Sequence, residues 1–207
     1  MAYANQGGTM RRSVTVSLGV LLLSLAAANA AQAQRKADGT PVRRQGLFFA
    51  LGLGAGSTGF QCSGCDSTRL SGGSGYLRLG GALSPHWLLG VEIDGWVNGD
   101  NGVDKALANV ALVASWYPSR TGGFFLKFGV GGMGYSAESG SIKAETMGGS
   151  GIVGIGYDVR LGRSFSLTPY VNWMASSGST VKINGVEVPV IEINPNLVQV
   201  GLALSLF

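Results

Sequence analysis

The chain has 207 residues, of which 45% are apolar, only 13% charged and 35 are glycine. That length allows one domain with a sizeable core, and the charge content is about half of the roughly 25% usual in soluble domains. Glycine costs a helix about 1 kcal/mol per residue against alanine, which excludes long helices from the glycine-rich body. The excess behind the formal charge of +4 lies early, in Arg11, Arg12, Arg35, Lys36, Arg43 and Arg44. No basic stripe interleaved with aromatics follows, so nothing points to nucleic acid.

Arg11 and Arg12 precede an apolar run over 14–28, and small residues follow at Ala30, Ala31 and Ala33. A charged segment, an apolar segment and an A-x-A site read as a secretory signal peptide over 1–33. Met10 is the better start, because residues 1–9 have no place in such a leader. Cleavage after Ala33 and cleavage after Ala30 both fit. An uncleaved anchor is the alternative, but the run falls short of the roughly 20 residues a spanning helix needs. Residues 34–45 are polar and basic with one proline and read as a flexible arm.

From Gly46 the pattern turns to period two. Eight runs follow, at 46–57, 74–83, 86–97, 105–117, 123–136, 148–161, 164–176 and 196–207. Ordinary strands have about 5 to 6 residues, whereas strands that cross a membrane need about 9 to 11. Parity assigns the faces. Leu47, Phe49, Leu51 and Leu53 oppose Ala50, Gly52 and Gly54, and Trp87, Leu89, Val91 and Ile93 oppose Gly90, Glu92 and Asp94. Phe124, Phe128 and Val130 oppose Lys127 and Gly129, while Val153 and Ile155 oppose Gly154, Asp158 and Arg160.

One face is bulky and apolar, the other glycine or charge. A soluble barrel would turn the bulky face inward, and a membrane barrel turns it to lipid. The charges decide. Arg78, Glu92, Asp94, Lys127, Asp158 and Arg160 share their face with glycines, which leave room for long side chains inside a narrow barrel but suit a solvated exterior poorly. They are read as an ion network in the lumen. Pairing Leu83 with Trp87 sets Arg78 against Glu92 and Leu79 against Val91, so opposite charges meet on one face and apolar groups on the other. Leu161 likewise pairs with Phe165, and Arg160 with Ser166. Short connections at 84–85, 118–122 and 162–163 alternate with longer ones at 58–73, 98–104, 137–147 and 177–195. Trp87, Trp116, Phe124 and Phe165 lie toward the short turns, with Trp173 and Tyr135 toward the long loops, like interfacial girdles.

The signal peptide, the eight runs, the alternating connections and Phe207 together resemble the small outer-membrane barrels of the outer-membrane protein A, X and W type. The resemblance implies an all-β fold over 46–207, an eight-stranded antiparallel up-and-down transmembrane barrel. It implies outer-membrane lipid as surroundings and insertion by the barrel assembly machinery, with Phe207 as assembly signal. Phe207 departs from the pattern, being out of step with Val198, Val200, Leu202, Leu204 and Leu206, which leaves open either the register of the last strand or a bulge there.

The remaining motifs read blandly. Residues 54–59 match G-x-G-x-x-G, but no helix pattern follows. Cys62 and Cys65 form a C-x-x-C, read as a disulfide in the first outer loop; zinc would need two more ligands. His86, the sole histidine, is placed in a short turn at the end away from the outer loops, which disfavours a His-dependent enzyme. Residues 100–104 lack a full calcium-loop pattern and read as a tight turn. Asn184-Gly185 is the strongest turn signal, pairing Val181 and Ile183 with Val186 and Val188, with Pro189 and Pro195 expected to interrupt the extension. Val188, Val190, Ile191 and Ile193 make this connection the candidate contact surface.

The chain is thus expected to be a non-enzymatic barrel of the bacterial outer membrane, without catalytic residues, metal or cofactor. Its role is read as structural or as contact with an extracellular ligand, with a path for small apolar solutes as a variant, since inward glycines would leave a cavity. An enzyme acting on outer-membrane lipids and a soluble periplasmic ligand-binding barrel are the competing readings.

Overall fold

The computed structural model describes residues 44–61, 69–100, 102–162, 164–188 and 193–207. They form ten strands: β1 (Gly46–Gln61), β2 (Leu70–Ser84), β3 (Trp87–Asp100), β4 (Val103–Trp116), β5 (Phe124–Ser139), β6 (Ile142–Tyr157), β7 (Val159–Arg160), β8 (Phe165–Ile183), β9 (Val186–Val188) and β10 (Asn194–Leu206). Eight are long and build the wall. Short β7 carries β6 past Asp158, and short β9 returns along the outer end of β8. No described helix is long and apolar enough to cross a membrane.

Each long strand pairs antiparallel with the next, and β10 pairs with both β8 and β1, which closes the barrel. Following ladder partners once round the wall, from Phe49 through Leu79, Val91, Leu112, Val130, Gly151, Ala175 and Asn196, returns to β1 at Gly59, ten residues along. With a rise of about 3.3 Å and a spacing of about 4.8 Å, that stagger sets a tilt of about 40° and a radius of about 8 Å. Such a barrel is only wide enough for side chains to fill.

The outward face is hydrocarbon. Leu47, Leu53, Leu112 and Val130 are 80, 69, 62 and 69% exposed, and Leu51, Val91, Phe128 and Ile155 also point out. Left in water, each would forgo about 1.5–3 kcal/mol of burial, so the natural solvent of this wall is lipid. Along one strand the apolar positions span about 20–25 Å at this tilt, the height of an outer-membrane barrel's belt.

The ladders carry the expected registers, with Arg78 against Glu92, Leu79 against Val91 and Arg160 against Ser166. Several expectations need correction. Trp87 pairs with Ser84 rather than Leu83, because a bulge after Ala82 ejects Leu83 and lets the two-residue turn Pro85-His86 close the hairpin. The connections expected at 98–104 and 137–147 are strand for most of their length. Asp100 pairs with Val103, and Ser139 with Ile142. Their alternating polar residues sustain a ladder above the lipid, where one face no longer has to be apolar. Tyr135 faces inward and meets Phe60 edge-on at 4.8 Å, so it is no part of an outer girdle. Pro195 lies within β10 opposite Phe60, near the strand's start, where a missing N–H is tolerated. The last strand has no bulge. Its ladder with β1 is regular to Leu206, and Phe207 turns in beneath it to stack on Phe48 at 6.3 Å.

Candidate functional site

The lumen is filled from end to end in layers. At the short-turn end Phe48, Leu88, Tyr117 and Phe125 pack with Phe207. Arg44 closes this layer. Its guanidinium lies 3.6 Å from the Tyr117 ring centroid and donates to the carbonyls of Ser119, Arg120 and Gly122. The arm expected over 34–45 is therefore anchored at its end; residues 34–43, the leader, Cys62, Cys65, Val190 and Ile191 lie outside the described residues.

Above the aromatics lies a charged layer. Glu92 takes Arg78 Nε at 2.9 Å and the Lys127 ammonium. Arg78 also donates to Ser115 Oγ at 2.9 Å and to Tyr76 Oη at 3.2 Å. Asp94 accepts from Asn109 at 3.0 Å, and Asn109 from Ser150 at 2.6 Å. Asp158 stands lower and accepts from Tyr117 Oη at 3.0 Å and Thr168 Oγ1 at 2.7 Å. Of the candidate lumen ions, the structure thus brings Arg78, Glu92 and Lys127 into direct contact. Asp94 and Asp158 are held by neutral donors, and Arg160 is half-buried on β7 beside Ser166. The buried cations Arg44, Arg78 and Lys127 match the buried anions Glu92, Asp94 and Asp158 three to three. These buried groups therefore balance in formal charge, and Glu92 has two cationic partners, while Asp94 keeps Oδ1 without a hydrogen bond.

Tyr76 and Tyr170 cross edge-on at 4.8 Å over this layer, and Asn172 donates to Gln199 at 3.3 Å. An apolar layer of Trp96, Leu107, Met133, Ile152, Met174 and Leu197 then seals the outer half. Some of the inward glycines are seats for these rings, while Gly54, Gly90 and Gly131 lie against the neighbouring strand's backbone. A Cβ at Gly52 would sit 2.7 Å from Tyr76 Cδ1, at Gly56 2.6 Å from Trp96 Cδ1, at Gly80 2.7 Å from Phe48 Cε1 and at Gly156 2.7 Å from Phe125 Cε1. The glycines thus admit aromatics rather than empty space. A depression of about 1250 Å³ is lined instead by residues of the outer half of the wall, among them outward Leu53, Gly73, Gly75 and Gly95, with Tyr76 and Trp96 behind them.

Beyond the belt, β5, β6, β8 and β9 continue as a four-stranded sheet. Ladder positions put Ala137, Ile142, Ala144, Ile183 and Val186 on one face, and Glu138, Lys143, Glu145, Lys182 and Glu187 on the other. The tip is fastened. Asn184 adopts a positive φ of 49° beside Gly185 at 83°, the primed turn that Asn-Gly favours. Its N–H donates to Lys143 O at 2.8 Å, and its Oδ1 accepts from Lys143 N at 2.9 Å. Of the candidate contact residues, Val188 and Ile193 are half-buried, whereas Ile142, Ile183 and Val186 are 60, 42 and 68% exposed. Sequence reasoning placed Ile183 and Val186 in this hairpin without naming them as contact residues, and it missed Ile142, Arg44 and Tyr117. Only the alternation of 180–188 carried a readable signal.

No family model matches the chain, and no curated protein matches it. Solved structures do. Neisserial surface protein A superposes with a TM-score of 0.57 at 12% identity, covering 78% of this chain and 99% of that one. OprG of Pseudomonas aeruginosa gives 0.47 at 16% identity over 78% and 96%. Ail, the attachment invasion locus protein of Yersinia pestis, gives 0.45 at 11% over 77% and 99%. At such identities the likeness is one of fold.

Proposed function

We propose that this chain, which has the fold of the small eight-stranded outer-membrane β-barrels, works in a bacterial outer membrane as a sealed, non-enzymatic barrel that makes surface contacts through its outer sheet. The filled lumen carries this reading. From Phe207 to Leu197 the described layers are packed, their buried formal charges balance, and rings fill the space beside Gly52, Gly56, Gly80 and Gly156. Among the described residues, a barrel so filled leaves its interior to side chains rather than to an aqueous route. Among the described residues, the sheet of β5, β6, β8 and β9 presents a partly exposed apolar face and a charged one. A fastened sheet presents such a patch with little ordering cost on binding.

A path for small apolar solutes is the second reading. It is favoured by the depression bordered by outward glycines, where the wall has no side chains. Two measurements test the pair. Protein in planar bilayers gives no steady ion current, and liposomes take up small apolar solutes no faster than lipid alone; faster uptake would move the role to the wall. A Glu187→Cys variant reacts with an impermeant thiol reagent on intact cells. Reaction only after the membrane is broken would remove the surface-contact reading.

A further inference from the structure

The opposite end of the barrel carries a device that the contact role does not use. His86 lies in the two-residue turn between β2 and β3, half-buried. Its Nδ1 is 2.7 Å from the carbonyl oxygen of Tyr117, and Arg120 Nε donates to its Nε2 at 3.2 Å. A carbonyl only accepts and a guanidinium only donates, so the two contacts fix the ring: hydrogen on Nδ1, bare lone pair on Nε2, neutral imidazole. The His86 carbonyl in turn accepts from Tyr117 N at 2.8 Å, so the β2–β3 turn grips the end of β4 twice.

Arg120 belongs to the connection from β4 to β5, and the same connection supplies the carbonyls that hold Arg44. It is further tied by Gly122 N to Ser119 Oγ at 3.1 Å and by Asp158 N to Gly123 O at 2.9 Å. Among the described residues, the charged group that meets the imidazole is a cation, Arg120 of the β4–β5 connection, and the second cation, Arg44, is held by that same connection. The Tyr117 phenol points away to Asp158.

We infer that His86 is a proton-operated latch on the periplasmic closure of the barrel. A second proton on Nε2 removes the acceptor Arg120 uses and sets an imidazolium against a guanidinium. The 118–123 connection then loses its tie to the β2–β3 turn, and Arg44 loses the fixed carbonyls that hold it over Tyr117. The Nδ1 contact to the Tyr117 carbonyl survives protonation, so the response is confined to the β4–β5 connection and the arm, and the wall stays closed.

The test is nuclear magnetic resonance of the full chain in bicelles, following the His86 ring nitrogens and the amides of Gly122 and Asp158 between about pH 8 and about pH 5, the span over which histidine changes charge. The Nδ1–H neutral form is expected at the upper end. On acidification the protection of both amides, taken relative to the intrinsic exchange rate at each pH, should fall about tenfold, the size of one lost charge-assisted contact, with the midpoint of the His86 ring. His86→Gln, which cannot titrate, should remove the pH dependence. Arg120→Gln should leave the ring titration but uncouple the two amides from it. An amide response that persists in His86→Gln overturns the latch, and so does a ring that titrates in the native chain while Gly122 and Asp158 stay still.

Discussion

Removing Glu92 from the lumen should be the most damaging single change of charge. Its carboxylate is wholly buried and bridges Arg78, at 2.9 Å, and Lys127. Glu92→Gln leaves three buried cations against two anions, with two of those cations facing an amide. Breaking a buried pair by deleting one partner costs about 3–5 kcal/mol, because the survivor stays desolvated. Pairing Glu92→Gln with Lys127→Met returns the count to two and two, and leaves Arg78 with Ser115, Tyr76 and the Gln oxygen as acceptors. The double variant should therefore recover about 2 kcal/mol relative to the sum of the singles, the range of coupling seen between contacting residues. Urea or guanidinium unfolding of protein folded into lipid vesicles reads all four corners of this cycle. A Glu92→Gln barrel within about 1 kcal/mol of the native one would refute the reasoning, as would singles that simply add.

Other outcomes follow from the same packing. Gly56→Val, pushed against Trp96, should cost about 1–3 kcal/mol by overpacking and shift the unfolding midpoint accordingly. Leu112→Arg, in the middle of the lipid belt, should cost about 2–4 kcal/mol in vesicles, while Leu47→Arg at the short-turn edge should cost at most about 1. Tyr117→Phe removes the phenol that donates to buried Asp158 and should cost about 1–3 kcal/mol. Asn184→Ala loses both a favourable positive-φ residue and the tie to Lys143; hydrogen exchange should quicken at 142–147 and 180–188 and stay unchanged in the wall.

The wall was legible because its two solvents differ so strongly. With lipid on one side and a crowded lumen on the other, period two writes itself into Leu89, Val91 and Ile93 against Gly90, Glu92 and Asp94. Opposite charges at Arg78 and Glu92 then fix the register. Above the lipid that contrast disappears, and strands built from residues such as Glu138, Lys143 and Glu145 read as loops. The bulge at Leu83 was hidden because a two-residue turn and a three-residue turn suit the same flanking residues. Arg44 was missed because one cation in a basic arm looks like any other; its burial depends on Tyr117, far away in sequence and close only once the barrel shuts. Inward glycines were legible as space, but not as space already taken by Tyr76, Trp96 and Phe125.

Which side of each strand meets hydrocarbon is best tested by placing a spin label at each position from Leu88 to Asp94 in turn, in protein reconstituted in bilayers, and measuring collisions with dissolved oxygen, which concentrates in lipid. High access at 89, 91 and 93 with protection at 88, 90, 92 and 94 is the predicted pattern. The opposite alternation, or no alternation, would contradict the account.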